Sequence, residues 1–150
     1  MKKSTWAVFW ALLAVIVVYI GGSGLIQLLE DLLDESIGKL LVQSSLLLLV
    51  IFSLLGIALL VLTVREKIEG KLKNFLLLTG ASAAGISVFG ILHNLVYGLA
   101  IHFFGADFWN NGDEPFFFLL AAIVCPLGYL VGATGSLVLH LKPKNKEPGE

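Results

Sequence analysis

Very little in this chain can carry a charge, and nothing in it can form an internal disulfide. Only 14% of its 150 residues are Asp, Glu, Lys or Arg, against roughly a quarter in soluble domains. That scarcity excludes an ordinary soluble globular domain. A single cysteine, Cys125, excludes an intrachain disulfide and a cysteine-built metal site. Lying in an apolar segment, it reads as a small packing residue. The ten basic residues form short flanks of apolar segments. They make no patch interleaved with aromatics, so nucleic acid is excluded as a partner. HExxH, CxxC, a phosphate-cradling glycine loop and a nucleophile–base motif are all missing, which points away from an enzyme. Internal repeats are missing too.

What the chain has instead is apolar length. It is 57% hydrophobic, with a mean hydropathy of +0.92. Four segments carry this, at about 5–29, 40–64, 75–104 and 116–141. About 20 apolar residues cross a bilayer as a helix, and each segment meets that length. A β-barrel would need roughly ten-residue alternating strands, which do not occur. The expected fold is all-α: one membrane domain over 1–150, a bundle of four transmembrane helices. The remaining 142–150, LKPKNKEPGE without its leucine, is a polar tail. The first segment also has features of a secretion signal, with Lys2 and Lys3 ahead of an apolar run and Gly22 and Gly24 behind it. Because the apolar run resumes after the glycines, it reads as a span.

Charge placement predicts orientation. Lys and Arg favour the cytoplasmic side. Nine of the ten flank the N-terminus, the 65–74 loop and the C-terminus, leaving Lys39 alone on the other side. Seven of the eleven acids fall opposite: Glu30, Asp31, Asp34, Glu35, Asp107, Asp113 and Glu114. Both termini are therefore expected in the cytoplasm, with the chain in a prokaryotic plasma membrane. The basic face suits anionic headgroups.

Small residues predict where helices meet, since they let backbones approach in lipid. In segment four, Ala121, Cys125, Gly128, Gly132 and Gly135 fall within about 80° of one another at 100° per residue. Segment three has Gly80, Ala83, Ala84, Ser87, Gly90, Asn94 and Gly98. Segment one offers Ala7, Ala11, Ala14 and Gly21. Pro126 is expected to bend segment four. On its stripe, Asn94 is expected to point into the bundle and hydrogen-bond a neighbouring helix.

The polar exceptions are the candidate sites. His93, Asn94 and Tyr97 are candidates for a ligand or transport path, because an ionisable residue within a span is a functional candidate. His93 and His102 cannot share a metal on one helix: nine residues turn them to opposite faces, about 13.5 Å apart. His102 with Asp107, Asp113 and Glu114 offers N and O ligands for a divalent cation, the one cofactor the pattern admits. Asp113 and Glu114 before Pro115 also read as a helix start. Asn111-Gly112 reads as a turn, and Trp109 and His140 as interfacial residues. Glu30, Asp31, Asp34 and Glu35 occupy an arc of about 140°, opposite a run of leucines. That predicts a short acidic amphipathic helix at the outer interface, able to bind cations or a basic partner.

No charged residue lies deep in a span, which weakens an ion-coupled carrier. The leading expectation is a protein that acts by interaction, as an accessory subunit or scaffold with other membrane subunits. A small homo-oligomeric channel or carrier near His93 and Asn94 is the alternative. An outer-face metal-binding protein or membrane enzyme is the third.

Overall fold

The computed structural model describes residues 3–29, 35–109 and 112–142. All regular structure among them is helical. α1 runs Lys3–Leu29, α2 Glu35–Arg65 and α3 Gly70–Phe104. A 3-10 turn, Ala106–Trp109, follows. α4 (Pro115–Leu119), a π turn (Leu120–Val124) and α5 (Cys125–Leu141) then run on without a gap. Among the described residues four stretches are long and apolar enough to cross a membrane: Lys3–Leu25, Gln43–Arg65, Gly70–Phe104 and Pro115–Leu141.

Local chemistry sets the breaks between helices. α2 ends on Arg65, whose cation suits a helix C-terminus. The link to α3 is short because Lys67 (φ 50°) and Gly70 (φ 71°) both take the left-handed region, while Ile68 tucks back into the core. α3 stops at Gly105. Its φ of 93° is readily adopted only by glycine, and its N–H closes on Ile101 O. In the last rod the Cys125 N–H reaches back to Leu120 O, one residue further than in an α-helix. Pro126 follows at once and can donate nothing. The irregularity therefore sits in a π turn ahead of the proline, a known way for a helix to absorb a break.

The packing order is α1 on α2, α2 on α3, and α3 on α5. α2 and α3 touch at backbone level. A Cβ added at Gly56 would lie 2.8 Å from both Ala84 N and Gly80 O, and one at Gly80 would lie 2.8 Å from Gly56 O. α5 sits as close: a Cβ at Gly132 would lie 2.7 Å from Thr79 N, and one at Gly128 would lie 2.5 Å from Ser82 Oγ. A Cβ at Gly85 would meet Cys125 Sγ at 2.7 Å. Between these contacts the core is Phe9, Leu12, Phe52, Leu59, Leu76, Ala83, Tyr129 and Ala133. The rest of the surface is strongly apolar, with Val17, Ile91 and Leu130 each more than half exposed. Such a surface fits lipid contact. In lipid the helices are held by close packing and hydrogen bonds rather than by expulsion of water.

Several buried hydroxyls are satisfied locally or across helices, while those of Thr5, Tyr129 and Ser136 have no hydrogen-bond partner among the described residues. Thr63 and Thr79 donate to Leu59 O and Phe75 O in the preceding turn, at 2.7 and 2.8 Å. Ser53 donates to Ala84 O at 3.3 Å and Ser87 to Leu49 O at 3.4 Å, joining α2 to α3. At the Arg65 end, Ser4 Oγ donates to Glu66 Oε1 at 2.6 Å. There the Trp6 ring also packs on His140, with centroids 3.9 Å apart.

Candidate functional site

α3 overshoots the last rod. From His93 to Phe104 is about 16 Å of helix, and the chain then folds back so that Asp113 and Glu114 come down beside His93. His93 Nδ1 lies 3.1 Å from Glu114 O and 3.4 Å from Glu114 Oε2. Its Nε2 lies 3.4 Å from Asp113 Oδ2. A carbonyl oxygen only accepts, so in this arrangement Nδ1 carries the proton that Glu114 O receives. The Nε2–Asp113 attraction operates when the ring is cationic. Phe118 and Tyr97 flank the imidazole at centroid distances of 5.6 and 6.5 Å. The His93 side chain is 13% exposed, that of Glu114 4%, and that of Asp113 60%. The cluster therefore opens to its surroundings through Asp113.

Glu114 is also the N-cap of α4, with Pro115 in the first position. Its Oε1 accepts from Phe116 N–H at 2.8 Å and its Oε2 from Phe117 N–H at 2.9 Å. Asp113 Oδ1 accepts from Glu114 N–H at 2.8 Å. Desolvation pushes the Glu114 carboxyl up. The Phe116 and Phe117 N–H groups, then His93 and the Phe118 N–H, more than offset it and hold the carboxyl below its ordinary value of 4.5. The cluster is thus a latch. One imidazole and two carboxylates fix the returning loop and the start of the last rod against α3.

The other expected site residues fall elsewhere. His102 is exposed, lies a further nine residues along α3 and packs edge-on against Phe103. The structure brings His93, not His102, to Asp113 and Glu114. Asp107 stands exposed in the 3-10 turn. Among the described residues no group of three or more His, Cys, Asp or Glu is arranged to hold a metal ion. Asn94 corrects an expectation. It is exposed, and its amide donates to Gly90 O of its own helix at 2.8 Å. The small-residue stripe is covered by neighbours at Gly80, Ala83 and Ala84, but Gly90 and Gly98 have no atom within 4 Å of an added Cβ. At Asn94 the stripe faces away from the bundle. Glu30, Asp31 and Asp34 lie outside the described residues, as does the side chain of Glu35, whose backbone opens α2.

Sequence reasoning missed a cleft. α1 and α5 do not approach closely along their lengths, although Trp6 and His140 bring them together at one end. Beyond that contact an apolar cleft of about 500 Å³ lies between them, lined by Ile16 and Tyr19 of α1, Phe52 of α2, and Tyr129, Ala133 and Thr134 of α5. Nothing in the residue pattern encodes it, because it depends on the relative tilt of two helices distant in sequence.

No protein-family model matches this chain, and no curated protein or solved structure matches it either.

Proposed function

We propose that the protein acts by interaction, as an accessory subunit or scaffold of a membrane assembly. The observation that carries this reading is the face Gly90–Asn94–Gly98 on α3. It is a helical row of two glycines and an amide at i, i+4 and i+8, and it is left uncovered by the chain's own helices. Small residues and Asn are what membrane helices use to associate. The glycines at 56, 80, 85, 128, 132 and 135 are occupied inside the bundle, whereas Gly21, Gly22 and Gly24 on α1 are open but do not form a row at i, i+4 and i+8 spacing.

The proposed setting is a plasma membrane with both termini cytoplasmic. The support is the charge layout. Lys3, Arg65, Lys67, Lys71, Lys73 and Lys142 gather at the end where Ser4 meets Glu66, and Asp107, Asp113 and Glu114 gather at the other. Asn94 then lies near the outer headgroup level, beside the start of the last rod. The latch holds α3 and that rod in register, so the row is presented on a rigid support.

Site-specific photocrosslinking from position 98 in the native membrane tests this. Gly98 has no neighbour within 4 Å of an added Cβ, so the photoreactive residue leaves the bundle intact. A crosslink to a different membrane polypeptide is expected. A crosslink only to a second copy would move the reading to a homo-oligomer, and labelling of lipid alone would overturn it.

A further inference from the structure

The imidazole of His93 has acceptors at both of its nitrogens. Nδ1 lies 3.1 Å from Glu114 O and 3.4 Å from Glu114 Oε2, and Nε2 lies 3.4 Å from Asp113 Oδ2. A carbonyl oxygen or an ionised carboxylate accepts and cannot donate, while a neutral imidazole carries one N–H and one bare lone pair. With the proton on Nδ1, the lone pair of Nε2 faces the Asp113 carboxylate. With the proton on Nε2, the lone pair of Nδ1 faces both Glu114 oxygens. Either neutral tautomer therefore sets a lone pair against oxygen at one edge of the ring. Only the doubly protonated ring makes all of these contacts attractive.

No cation competes for the two carboxylates among the described residues around the ring. The titratable groups that face it from the start of the last rod are Asp113 and Glu114. From α3 itself the group is Tyr97, whose ring stacks at 6.5 Å. α2 has no titratable residue from Leu40 to Val64. Cys125 of α5 lies against Gly85, about two turns further down α3. Asp107 stands exposed in the 3-10 turn and forms no ion pair with His93 among the described residues. The proton has a way in, because the Asp113 side chain is 60% exposed and that of His93 only 13%.

We infer that the latch is operated by a proton: it closes on the imidazolium form of His93 and loosens when the ring is neutral, so Asp113, Glu114 and the start of the last rod dock on α3 more tightly in mildly acidic than in mildly alkaline medium. Closing takes up a proton, so this part of the docking stability is present at low pH and lost as pH rises. Imidazole is the side chain that ordinarily changes charge between about pH 5 and pH 8. The switch concerns the docking of these residues and does not rest on the interaction reading.

The test is hydrogen exchange of the full chain in phosphatidylcholine nanodiscs, at about pH 5 and about pH 8, with each rate divided by its intrinsic rate at that pH. The Phe116 and Phe117 amides report on the latch, since Glu114 holds both. Hydrogen bonds involving a charged group are roughly twice as strong as neutral ones. Protection of these amides in the wild type should therefore fall about 3- to 10-fold from the lower pH to the higher, while that of Thr79 in the core stays level. His93→Gln keeps a donor but cannot titrate, and its protection should be the same at both pH values. Asp113→Asn, at an exposed position, leaves the packing intact and should reduce the fall. His102→Gln and His140→Gln should behave as wild type. Level protection in the wild type, or an equal fall in His93→Gln, would overturn the switch. An undiminished fall in Asp113→Asn would overturn the part assigned to Asp113.

Discussion

Replacing Gly132 by alanine adds one carbon where the structure has no room for it. The new Cβ would lie 2.6 Å from Thr79 Oγ1, 2.7 Å from Thr79 N and 2.9 Å from Phe75 O. Two of these are backbone atoms of α3, which cannot rotate away, so α3 and α5 must part by several tenths of an ångström. Overpacking of this kind costs about 1–3 kcal/mol. Alanine returns up to about 1 kcal/mol through helix propensity. Because backbone is involved, the cost should lie toward the upper limit, for a net loss of about 2 kcal/mol. Gly21 on α1 supplies the control: it is exposed, and nothing lies within 4 Å of its added Cβ. Gly21→Ala should therefore be neutral or stabilising by up to about 1 kcal/mol. Unfolding in mixed micelles titrated with dodecyl sulfate, followed by circular dichroism, places both on one scale. Equal stability of the two variants would refute the backbone contact between α3 and α5.

The latch and the core give further expectations. The Glu114 carboxyl is held below its ordinary value, so its contribution to stability is present above that value and is lost as pH falls through the lowered one. Between pH 7 and pH 3 the wild type should lose more thermal stability than Glu114→Gln, and parallel pH profiles would contradict this. His93→Ala removes the contact that returns the loop to α3, so hydrogen exchange at the Phe116 and Phe117 amides should speed up while exchange at Leu76 and Thr79 stays unchanged. Cys125 is buried against Gly85. It should resist a membrane-permeant maleimide in the folded protein and react fully once the bundle is unfolded; prompt labelling of the folded chain would contradict the packing.

The four helices were legible because each rests on a local property, an unbroken apolar run longer than a bilayer requires. Their spatial relations rest on pairs distant in sequence and were less legible. Segment three carries one continuous small-residue stripe from Gly80 to Gly98, and sequence alone treats that stripe as one interface. In the structure α2 covers it around Gly80, Ala83 and Ala84 but nothing covers it at Asn94 among the described residues. Gly56, which meets Gly80 backbone to backbone, stands alone in a run of leucine and isoleucine with no stripe to mark it. The pairing of His93 with Asp113 and Glu114 could not be read either. It depends on α3 overshooting and the 105–114 stretch folding back by three helical turns. The acidic run around Glu30 to Glu35 lies mostly outside the described residues. The cleft has no sequence signal, since it is a gap between α1 and α5.

The central claim, that this bundle works by holding another membrane protein against the Gly90–Asn94–Gly98 row, is tested most directly by native mass after gentle extraction from the host membrane. Wild type should be compared with Asn94→Leu and Gly98→Leu, both substitutions at exposed positions. A stoichiometric second polypeptide with the wild type, absent from both variants at unchanged fold, is the predicted result. The chain extracted alone, or a complex that survives both substitutions, would contradict it.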